Sequence, residues 1–461
     1  MIYDYISLNK NNKTPLYVQL YTNIKNNIEN GNLQSHCKLP SIRKLSDDLN
    51  ISKTTVENAY SQLCAEGYII NKPQSGFYTA DLMLKSQIGN NSTEKISKKN
   101  NTKIYRYDFT GRSVDTDDIS LKLWKKYIRY IINCDYLITS YGDPQGEPQL
   151  RQALSEYSYS VRGVTAESDE IIIGAGTQPL LYLLCGLLRE NYGNAIAVEN
   201  QGFSYAEKVF NDCNFKIEKI DNGTDNIDTD SLENLKAKIF LVNPSGNLQS
   251  GKALKVNKRT ALLNWAEKNN CIIIEDDYNG ELKYSAKPIP AMQGFNKNRV
   301  VYIGSFSKLL VPSVRIGYMT LPQQLLNKYI ENKIKYNQTA SKMEQLALAK
   351  YISDGQMERN LRRLRKIYKD KSEFLINLLN KTFGPKIALA LKETSLSVSI
   401  TFSEIKDISV IKDILSNKSV NVIFNETNKN SFDISFSGIK KDKIQEGINI
   451  IYNAVSDICK K

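Results

Sequence analysis

The chain has 461 residues, of which 41% are hydrophobic, a length that predicts two or three domains and an apolar content too high for a wholly disordered protein. No apolar signal segment and no apolar run of membrane-spanning length is evident, so we expect a cytoplasmic protein without a membrane partner. The formal net charge of +13 is compatible with a polyanionic partner, although a solvated lysine-rich surface would give the same charge.

The first 80 residues show the pattern of three short helices followed by a hairpin. Thr14 and Pro15 precede apolar residues at helical spacing, which predicts a helix with Thr14 as its N-cap. Ser41 and Ser52 each precede another short amphipathic segment, and these two segments together predict a helix-turn-helix. Two β-rich runs flank the polar turn at residues 71–76, which predicts a β-hairpin, or wing.

The remainder of the chain begins with a polar stretch that has neither helical nor strand periodicity. Short runs rich in β-branched residues then alternate with helical segments, at residues 170–173, 195–198, 238–242, 271–274 and 299–303. This alternation is typical of a largely parallel sheet between layers of helices, an α/β/α domain. We predict a DNA-binding part at residues 1–80, a linker at 81–105 and an effector domain at 106–461, divided near residue 322 into a large part and a smaller C-terminal α+β part.

Histidine and cysteine content limits the chemistry available to the chain. His36 is the single histidine, and the seven cysteines are scattered without a CxxC pair, so we expect no metal site and reduced thiols. Any acid-base or nucleophilic chemistry after residue 80 must therefore use lysine, tyrosine, carboxylates or a cofactor.

The order of motifs over residues 14–79 resembles the GntR winged helix-turn-helix. The start of the second helix of such a motif presents hydroxyls and a cation to the major groove, while the wing approaches the neighbouring groove. The resemblance implies a double-stranded DNA operator as partner, contacted by Ser41, Arg43, Ser52, Lys53, Thr54, Thr55, Gln74, Ser75 and Gly76. Glu57 stands where relatives carry a basic residue, so the base preference does not carry over. The alternative is a helical unit that only caps or dimerises the larger domain.

A lysine after the fifth apolar run suggests a site for an aldehyde cofactor. Lys308 can form a Schiff base, and Ser305, Ser307 and Arg315 around it are suited to a phosphate. Residues 176–178, between a predicted strand and a helix, offer backbone amides to the same phosphate. The carboxyl ends of successive strands in an α/β sheet meet in one crevice, which favours a single site over unrelated surface motifs.

Over residues 106–461 these motifs resemble fold-type I aminotransferases, and together with the winged helix they resemble the MocR family of GntR-type regulators. The resemblance implies pyridoxal 5'-phosphate, with Lys308 as the aldimine lysine, Asp276 paired with the pyridine nitrogen and Tyr278 reaching the ring oxygen. It also implies that Phe203 stacks on the ring and that Tyr141 reaches the phosphate of a neighbouring subunit, hence a homodimer with shared sites. The full predicted cofactor set is Lys308, Asp276, Tyr278, Phe203, Gly176, Thr177, Gln178, Asn247, Ser305, Ser307, Arg315 and Tyr141.

The sequence departs from the aminotransferase pattern where a substrate would bind. Asn247 is a weaker cofactor contact because a histidine expected in its loop is missing. Asp433 stands where aminotransferases place the arginine that binds the substrate carboxylate, and we expect its charge to repel such a ligand. Tyr205 likewise replaces the arginine of the γ-aminobutyrate-responsive branch, and the alternative is that another arginine, such as Arg112 near the start of the domain, reaches in from outside these motifs.

The sequence is compatible with three functions. The first is a regulator without catalytic residues that uses pyridoxal phosphate as its small-molecule effector, as in the branch of the family that controls synthesis of this cofactor, and so acts on vitamin B6 metabolism. The second is an active aminotransferase, or a regulator that senses an amino acid through the bound cofactor. The third is a scaffold that has lost both ligand and DNA.

Overall fold

The computed structural model describes residues 6–10, 12, 14–81, 104–115, 121–199, 204–220, 222–223, 226–227, 230–246, 251–285, 288–425 and 428–459. The chain forms two compact units, Met1–Thr102 and Lys103–Lys461. Among the described helices, none is long and apolar enough to cross a membrane.

The N-terminal unit is a winged helix-turn-helix, as predicted. It contains α1 (Leu16–Glu29), α2 (Ile42–Leu49), α3 (Lys53–Ala65), β1 (Ile69–Lys72) and β2 (Gly76–Thr79), with the two strands antiparallel. Helices α1 and α3 pack through a buried core that includes Leu20, Ile24, Val56 and Leu63. These apolar side chains recur at helical spacing, so one face of each helix supplies the core.

The helix caps of this unit follow the sequence at two of three positions. Ser41 Oγ accepts a hydrogen bond from the amide of Lys44 at 3.2 Å, and Ser52 Oγ accepts one from the amide of Thr55 at 3.1 Å. The prediction for the first helix was wrong by one residue, because Pro15 is the N-cap and has no side-chain acceptor.

The C-terminal unit combines two sheets and eleven helices within its described residues. Its helices are α4 (Leu121–Ile132), α5 (Asp135–Ile138), α6 (Pro148–Arg162), α7 (Thr177–Tyr192), α8 (Ser204–Asp212), α9 (Val256–Lys268), α10 (Gln323–Asn332), α11 (Lys342–Ser353), α12 (Gln356–Phe383), α13 (Lys412–Asn417) and α14 (Lys441–Cys459). Its strands are β3 (Tyr107–Asp108), β4 (Ile171–Gly174), β5 (Ala195–Glu199), β6 (Lys216–Ile220), β7 (Asn222–Gly223), β8 (Asn226–Ile227), β9 (Ile239–Val242), β10 (Ile272–Asp276), β11 (Val300–Ser305), β12 (Gly317–Thr320), β13 (Ile387–Lys392), β14 (Ser397–Phe402), β15 (Val420–Asn421), β16 (Ile423–Phe424) and β17 (Ser431–Ser435). Two further pairs of very short strands, β15 with β3 and β7 with β8, accompany the two sheets.

The larger sheet has the strand order β4-β12-β11-β10-β9-β5-β6. All its strand pairs are parallel except the two made by β12, which is antiparallel to both of its neighbours. Every residue of β4, β9, β10 and β12 is buried, as expected for strands covered by helices on both faces. The predicted α/β/α architecture is therefore confirmed, and β6 and β12 are strands that the sequence did not indicate.

The C-terminal part carries a four-stranded antiparallel sheet in the order β13-β14-β17-β16. Phe432 and Ile434 of β17 lie in the core, so Asp433 and Ser435 occupy the opposite face of the strand. The unit's first strand, β3, pairs in parallel with β15, which joins the beginning of the unit to its C-terminal part.

Candidate functional site

Lys308 lies three residues beyond the end of β11, and only 6% of it is exposed. Its Nζ donates a hydrogen bond to the carbonyl oxygen of Gly111 and lies 3.4 Å from both the carbonyl oxygen of Ser113 and the hydroxyl of Ser437. Burial lowers the pKa of the Lys308 ammonium to about 8, because the charged form loses its hydration. A larger fraction of the amine is therefore neutral at physiological pH and available to attack a carbonyl carbon.

Asp276 ends the neighbouring strand β10 and pairs in register with Ile303 of β11. Burial, with a contribution from the charge of Asp277, raises the pKa of the Asp276 carboxyl to about 7. Within the described part of the chain, its carboxyl makes no hydrogen bond. A buried carboxyl without a partner fits a cationic group supplied by a ligand, such as a protonated pyridine nitrogen. Tyr278 is half-buried two residues later, and burial raises the pKa of its phenol.

Asp277 has a different role from its neighbour. Arg162 of α6 donates to both carboxylate oxygens, at 2.5 and 3.1 Å, and the hydroxyls of Ser245 and Tyr302 donate at 2.6 and 2.7 Å. Burial opposes ionisation of Asp277, yet the charge of Arg162 and these hydrogen bonds bring its pKa below the ordinary value. Asp277 is thus a fully partnered structural anion, which leaves Asp276 as the carboxyl open to a ligand.

A cradle for an anion lies at the N-terminus of α7. Gly176 is the N-cap residue, with a φ of +91°, and a Cβ built there would lie 2.9 Å from Nη2 of Arg315. Arg315 therefore holds its guanidinium beside the first turn of α7, whose leading amides lack partners within the helix. Thr177 and Gln178 form that first turn and are partly buried.

The two serines beside Lys308 are positioned together after β11. Ser305 Oγ lies 3.2 Å from Ser307 Oγ and also accepts a weak hydrogen bond from the Ser307 amide at 3.4 Å. Both hydroxyls are partly exposed and remain near Lys308 and the Gly176 turn through the pairing of β11 with β12. Such hydroxyls, together with a guanidinium and helix amides, form a donor set that suits a phosphate.

Three other predicted cofactor residues stay predictions. Tyr141 is fully exposed on the surface of its own chain. Phe203 and Asn247 lie outside the described residues.

The environment of Asp433 corrects one expectation. Its Oδ2 lies 2.8 Å from Nζ of Lys392, so a cation neutralises the charge that we expected to repel a carboxylate ligand. No arginine takes the place of the missing one at this strand. Arg112 is exposed between two residues that contact Lys308, and it makes no hydrogen bond or ion pair to any residue that the structure describes. Tyr205 is also exposed.

The predicted DNA-contacting residues lie at helix starts and at the wing of the N-terminal unit. Arg43, Lys53, Thr54, Gln74 and Ser75 are exposed, and Gln74 has a φ of +62° at the tip of the hairpin turn. The hydroxyls of Ser41 and Ser52 serve as helix caps, and Thr55 Oγ1 lies 2.8 Å from Ser52 Oγ. Gly76 opens β2 with a φ of +104°.

Sequence reasoning missed two groups of site residues. Gly111, Ser113 and Ser437 surround Lys308 but come from the two ends of the unit, and no motif marked them. At the wing, Lys38 and Lys72 place their Nζ atoms 5.8 and 4.7 Å from the ring centroid of Tyr78. The sequence did not reveal this pair, since the hairpin brings Lys72 and a separate β-bridge brings Lys38 to the same tyrosine.

Comparison with known proteins gives the same two-part organisation. The aminotransferase class I and II family matches residues 114–451, and the bacterial regulatory proteins of the gntR family match residues 16–79. An archaeal alanine:glyoxylate aminotransferase superposes with a TM-score of 0.68 at 23% identity, covering 77% of this chain and 91% of the aminotransferase, which shows the shared fold.

Relatives that match most of this chain are named as regulators. The uncharacterised HTH-type transcriptional regulator YdeL of Bacillus subtilis is 35% identical over 397 residues, 85% of each chain. The probable rhizopine catabolism regulatory protein MocR of Rhizobium meliloti is 26% identical over 97% of this chain and 95% of its own. The HTH-type pyridoxine biosynthesis transcriptional regulator PdxR of Corynebacterium glutamicum is 29% identical over 81% of each chain. The chain is therefore a transcription regulator of the MocR family, in which a GntR winged helix-turn-helix precedes an aminotransferase-like domain.

Proposed function

We propose that this regulator binds pyridoxal 5'-phosphate covalently at Lys308 and uses it as the effector that controls operator binding. The observation that carries the proposal is the pairing of a buried lysine of lowered pKa with a buried, unpartnered carboxyl on the adjacent strand. Neither feature benefits the stability of the protein alone, and both match one cofactor.

The described residues fit this cofactor group by group. Bound pyridoxal phosphate would supply an aldehyde and a pyridine ring that withdraws electrons when its nitrogen is protonated. Lys308 would hold the aldehyde carbon, and Asp276 would hold the proton on the ring nitrogen. Gly176, Ser307 and Arg315 would bind the phosphate at the start of α7, which explains why a side chain at position 176 would meet the guanidinium.

Visible absorbance tests the covalent link. Addition of pyridoxal phosphate should give the band of a lysine-bound cofactor in the parent protein and none in Lys308→Ala. Lys308→Arg keeps the positive charge but cannot form the bond, so it serves as the matched control and should also lack the band. A band of full strength in either variant contradicts the assignment.

Exposed cations of the N-terminal unit support operator binding by α2, α3 and the wing. We expect Arg43 and Lys53 to dominate affinity and two protomers to bind paired half-sites. Loss of a phosphate contact should reduce the slope of log affinity against log salt by about one, whereas loss of a guanine contact should cost about 1–3 kcal/mol at one base. Lys25→Ala is the control, because Lys25 is ion-paired with Glu66 at 3.4 Å and makes no predicted DNA contact.

An exposed apolar surface supports the homodimer. Tyr136 and Tyr141 are 76% and 104% exposed, and Ile334 is 98% exposed. Lys333, the residue before Ile334, is ion-paired with Asp143 at 2.8 Å, and Asp143 is two residues after Tyr141. Apolar side chains on one surface favour association, and a second subunit would bring its own Tyr141 to this site. Sedimentation of the parent and of Ile334→Glu tests this, with a shift toward monomer expected for the variant.

The signal itself is proposed to be pyridoxal phosphate alone, acting on vitamin B6 metabolism. The similarity to PdxR and the lack of an arginine at Asp433 and Tyr205 support this assignment. Operator binding should change with pyridoxal phosphate and should not need an amino acid. Operator binding that ignores the cofactor would refute it.

Arg112 favours a second candidate, a regulator that reads an amino acid through the bound cofactor. Its guanidinium is exposed next to Gly111 and Ser113, and it could pair with a ligand carboxylate. Under this alternative, one amino acid should shift the cofactor absorbance saturably in the parent, and Arg112→Gln should abolish that shift. An amino acid turned over to its keto acid would instead identify an aminotransferase.

A further inference from the structure

Polar side chains lead from Lys308 to the end of β17 and recur along one face of this strand. Ser437 Oγ lies 3.4 Å from Lys308 Nζ and 3.1 Å from Ser435 Oγ. Asp433 is two residues before Ser435 on the same face of the strand, and its Oδ2 pairs with Lys392. Residues two apart on a strand are separated by roughly 7 Å, so Asp433 is the next residue after Ser435 on this face of β17, leading away from Lys308.

The ion pair at the end of this row is buried more deeply than stability requires. The side chains of Lys392 and Asp433 are only 6% and 20% exposed. Oδ1 of Asp433 is buried without a hydrogen bond to any described residue. Removing two charges from water costs free energy that an apolar pair would not cost, and the unpaired oxygen adds to it. A role in selecting ligands accounts for a pair that sheet stability does not.

We propose that the pair of Lys392 and Asp433 is a specificity element that excludes ligands with a free carboxylate from the Lys308 site. The inference rests on the proposed function, because it takes Lys308 as the point where the cofactor is held. Asp433 occupies the ammonium of Lys392, so a second carboxylate would have to displace it or remain unpaired beside it. The site therefore admits the cofactor alone or an amine that lacks a carboxylate.

Replacing the anion should open the site to carboxylates. Asp433→Asn keeps the shape and leaves Lys392 without its partner, so a ligand carboxylate gains a buried cation. The probes are γ-aminobutyrate and n-butylamine, which differ in the carboxyl group. With pyridoxal phosphate present, butylamine should shift the visible absorbance of both proteins equally. γ-Aminobutyrate should shift Asp433→Asn at a concentration at least about tenfold lower than the parent, a difference of about 1.4 kcal/mol.

A second readout does not depend on the cofactor. Without pyridoxal phosphate, butyrate should raise the melting temperature of Asp433→Asn more than that of the parent, because Lys308 is common to both proteins and only the variant frees the Lys392 ammonium from its anion. Failure of the absorbance band in every protein would refute the proposed function, while this melting experiment would still decide the inference.

Two controls separate ligand selection from folding. Glu170→Gln makes the same carboxyl-to-amide change at an acid paired with Lys297 at 3.4 Å, and it should gain no response to carboxylates. The double variant Lys392→Met/Asp433→Leu replaces the pair by apolar side chains. It should fold and should gain no response to carboxylates. A parent protein that responds to γ-aminobutyrate as strongly as to butylamine would overturn the proposal. The proposal would also be overturned if Asp433→Asn has the circular dichroism spectrum of the parent but carboxylates change neither its absorbance nor its melting temperature.

Discussion

Asp276→Asn should make the cofactor-free protein more stable while weakening its affinity for pyridoxal phosphate. Asp276 is buried without a hydrogen bond among the described residues, and burial is the main reason why its pKa is raised. An amide of the same shape removes the charge that is costly to bury, but it cannot hold a proton on a ring nitrogen. The substitution thus separates a functional carboxyl from a structural one.

The size and pH dependence of the effect follow from the same pKa. The rise of the Asp276 pKa from 3.8 to about 7 means that the ionised carboxyl lowers the free energy of unfolding by at most about 4 kcal/mol, at about 1.4 kcal/mol for each unit of pKa. Below pH 3.8 the carboxyl is protonated in both states and costs nothing. Between pH 3.8 and 7 the unfolded chain releases the proton while the folded protein keeps it, so stability falls as pH rises and the full loss is present above pH 7. Asp276→Asn should therefore gain about 1–4 kcal/mol at pH 8 and little at pH 4.

Urea unfolding followed by tryptophan fluorescence provides the assay, because both tryptophans, Trp124 and Trp265, lie in the C-terminal unit. Asp277→Asn is the matched control one residue away. This substitution leaves Arg162 buried without its anion, so it should lower the free energy of unfolding by about 3–5 kcal/mol, whereas Asp276→Asn should raise it. Equal stability of Asp276→Asn and the parent at pH 8, or a difference that does not shrink toward pH 4, would refute the reasoning.

Three further outcomes are expected. The rate at which pyridoxal phosphate attaches to Lys308 should rise with pH through about 8, because only the neutral amine reacts. Stopped-flow absorbance measures this rate, and a rate that is independent of pH between about 6.5 and 9 would contradict the expectation. Gly176→Val should weaken the binding of pyridoxal phosphate by tenfold or more, on the order of 1.4 kcal/mol, because the new side chain meets Arg315 and strains a φ of +91°. The binding of pyridoxal, which has no phosphate, should be unaffected. An equal loss of affinity for both ligands would place the phosphate elsewhere. Tyr141→Ala should lower cofactor affinity without changing the melting temperature of cofactor-free protein, since its ring is fully exposed, and equilibrium dialysis that finds unchanged affinity would remove it from the site.

The fold could be predicted where local patterns dominate. Ser41 and Ser52 predict the starts of their helices because the hydroxyl of an N-cap residue accepts a hydrogen bond from an amide only three residues later. Strand β12 escaped prediction because Gly317–Thr320 is short and antiparallel to its neighbours, and only its place between β4 and β11 makes it a strand. The same holds for β6, an edge strand in which three of the five residues are charged, so that it lacks the apolar run of a buried strand.

The candidate site was predictable only where residues follow a strand end. Lys308 and Asp276 carry that signal, whereas Gly111 and Ser437 reach the site from opposite ends of the unit. The sequence also could not separate Asp276 from Asp277 by chemistry, since the pairing of the second with Arg162 depends on tertiary contacts. Likewise, the neutralisation of Asp433 by Lys392 joins two residues that are 41 positions apart in the chain.

In the proposed sensor, the two sheets of the C-terminal unit carry different groups of binding residues. Lys308 lies at the strand ends of the larger sheet, whereas Asp433 belongs to the smaller one, so carboxylate recognition can be lost without altering the groups that hold the cofactor. On the proposed function, bond formation at Lys308 Nζ uses the nitrogen that otherwise donates to the carbonyls of Gly111 and Ser113. Those carbonyls must then find other partners or water. They lie three and five residues after the end of β3, so cofactor occupancy would change the hydrogen bonding of a segment near the start of this unit.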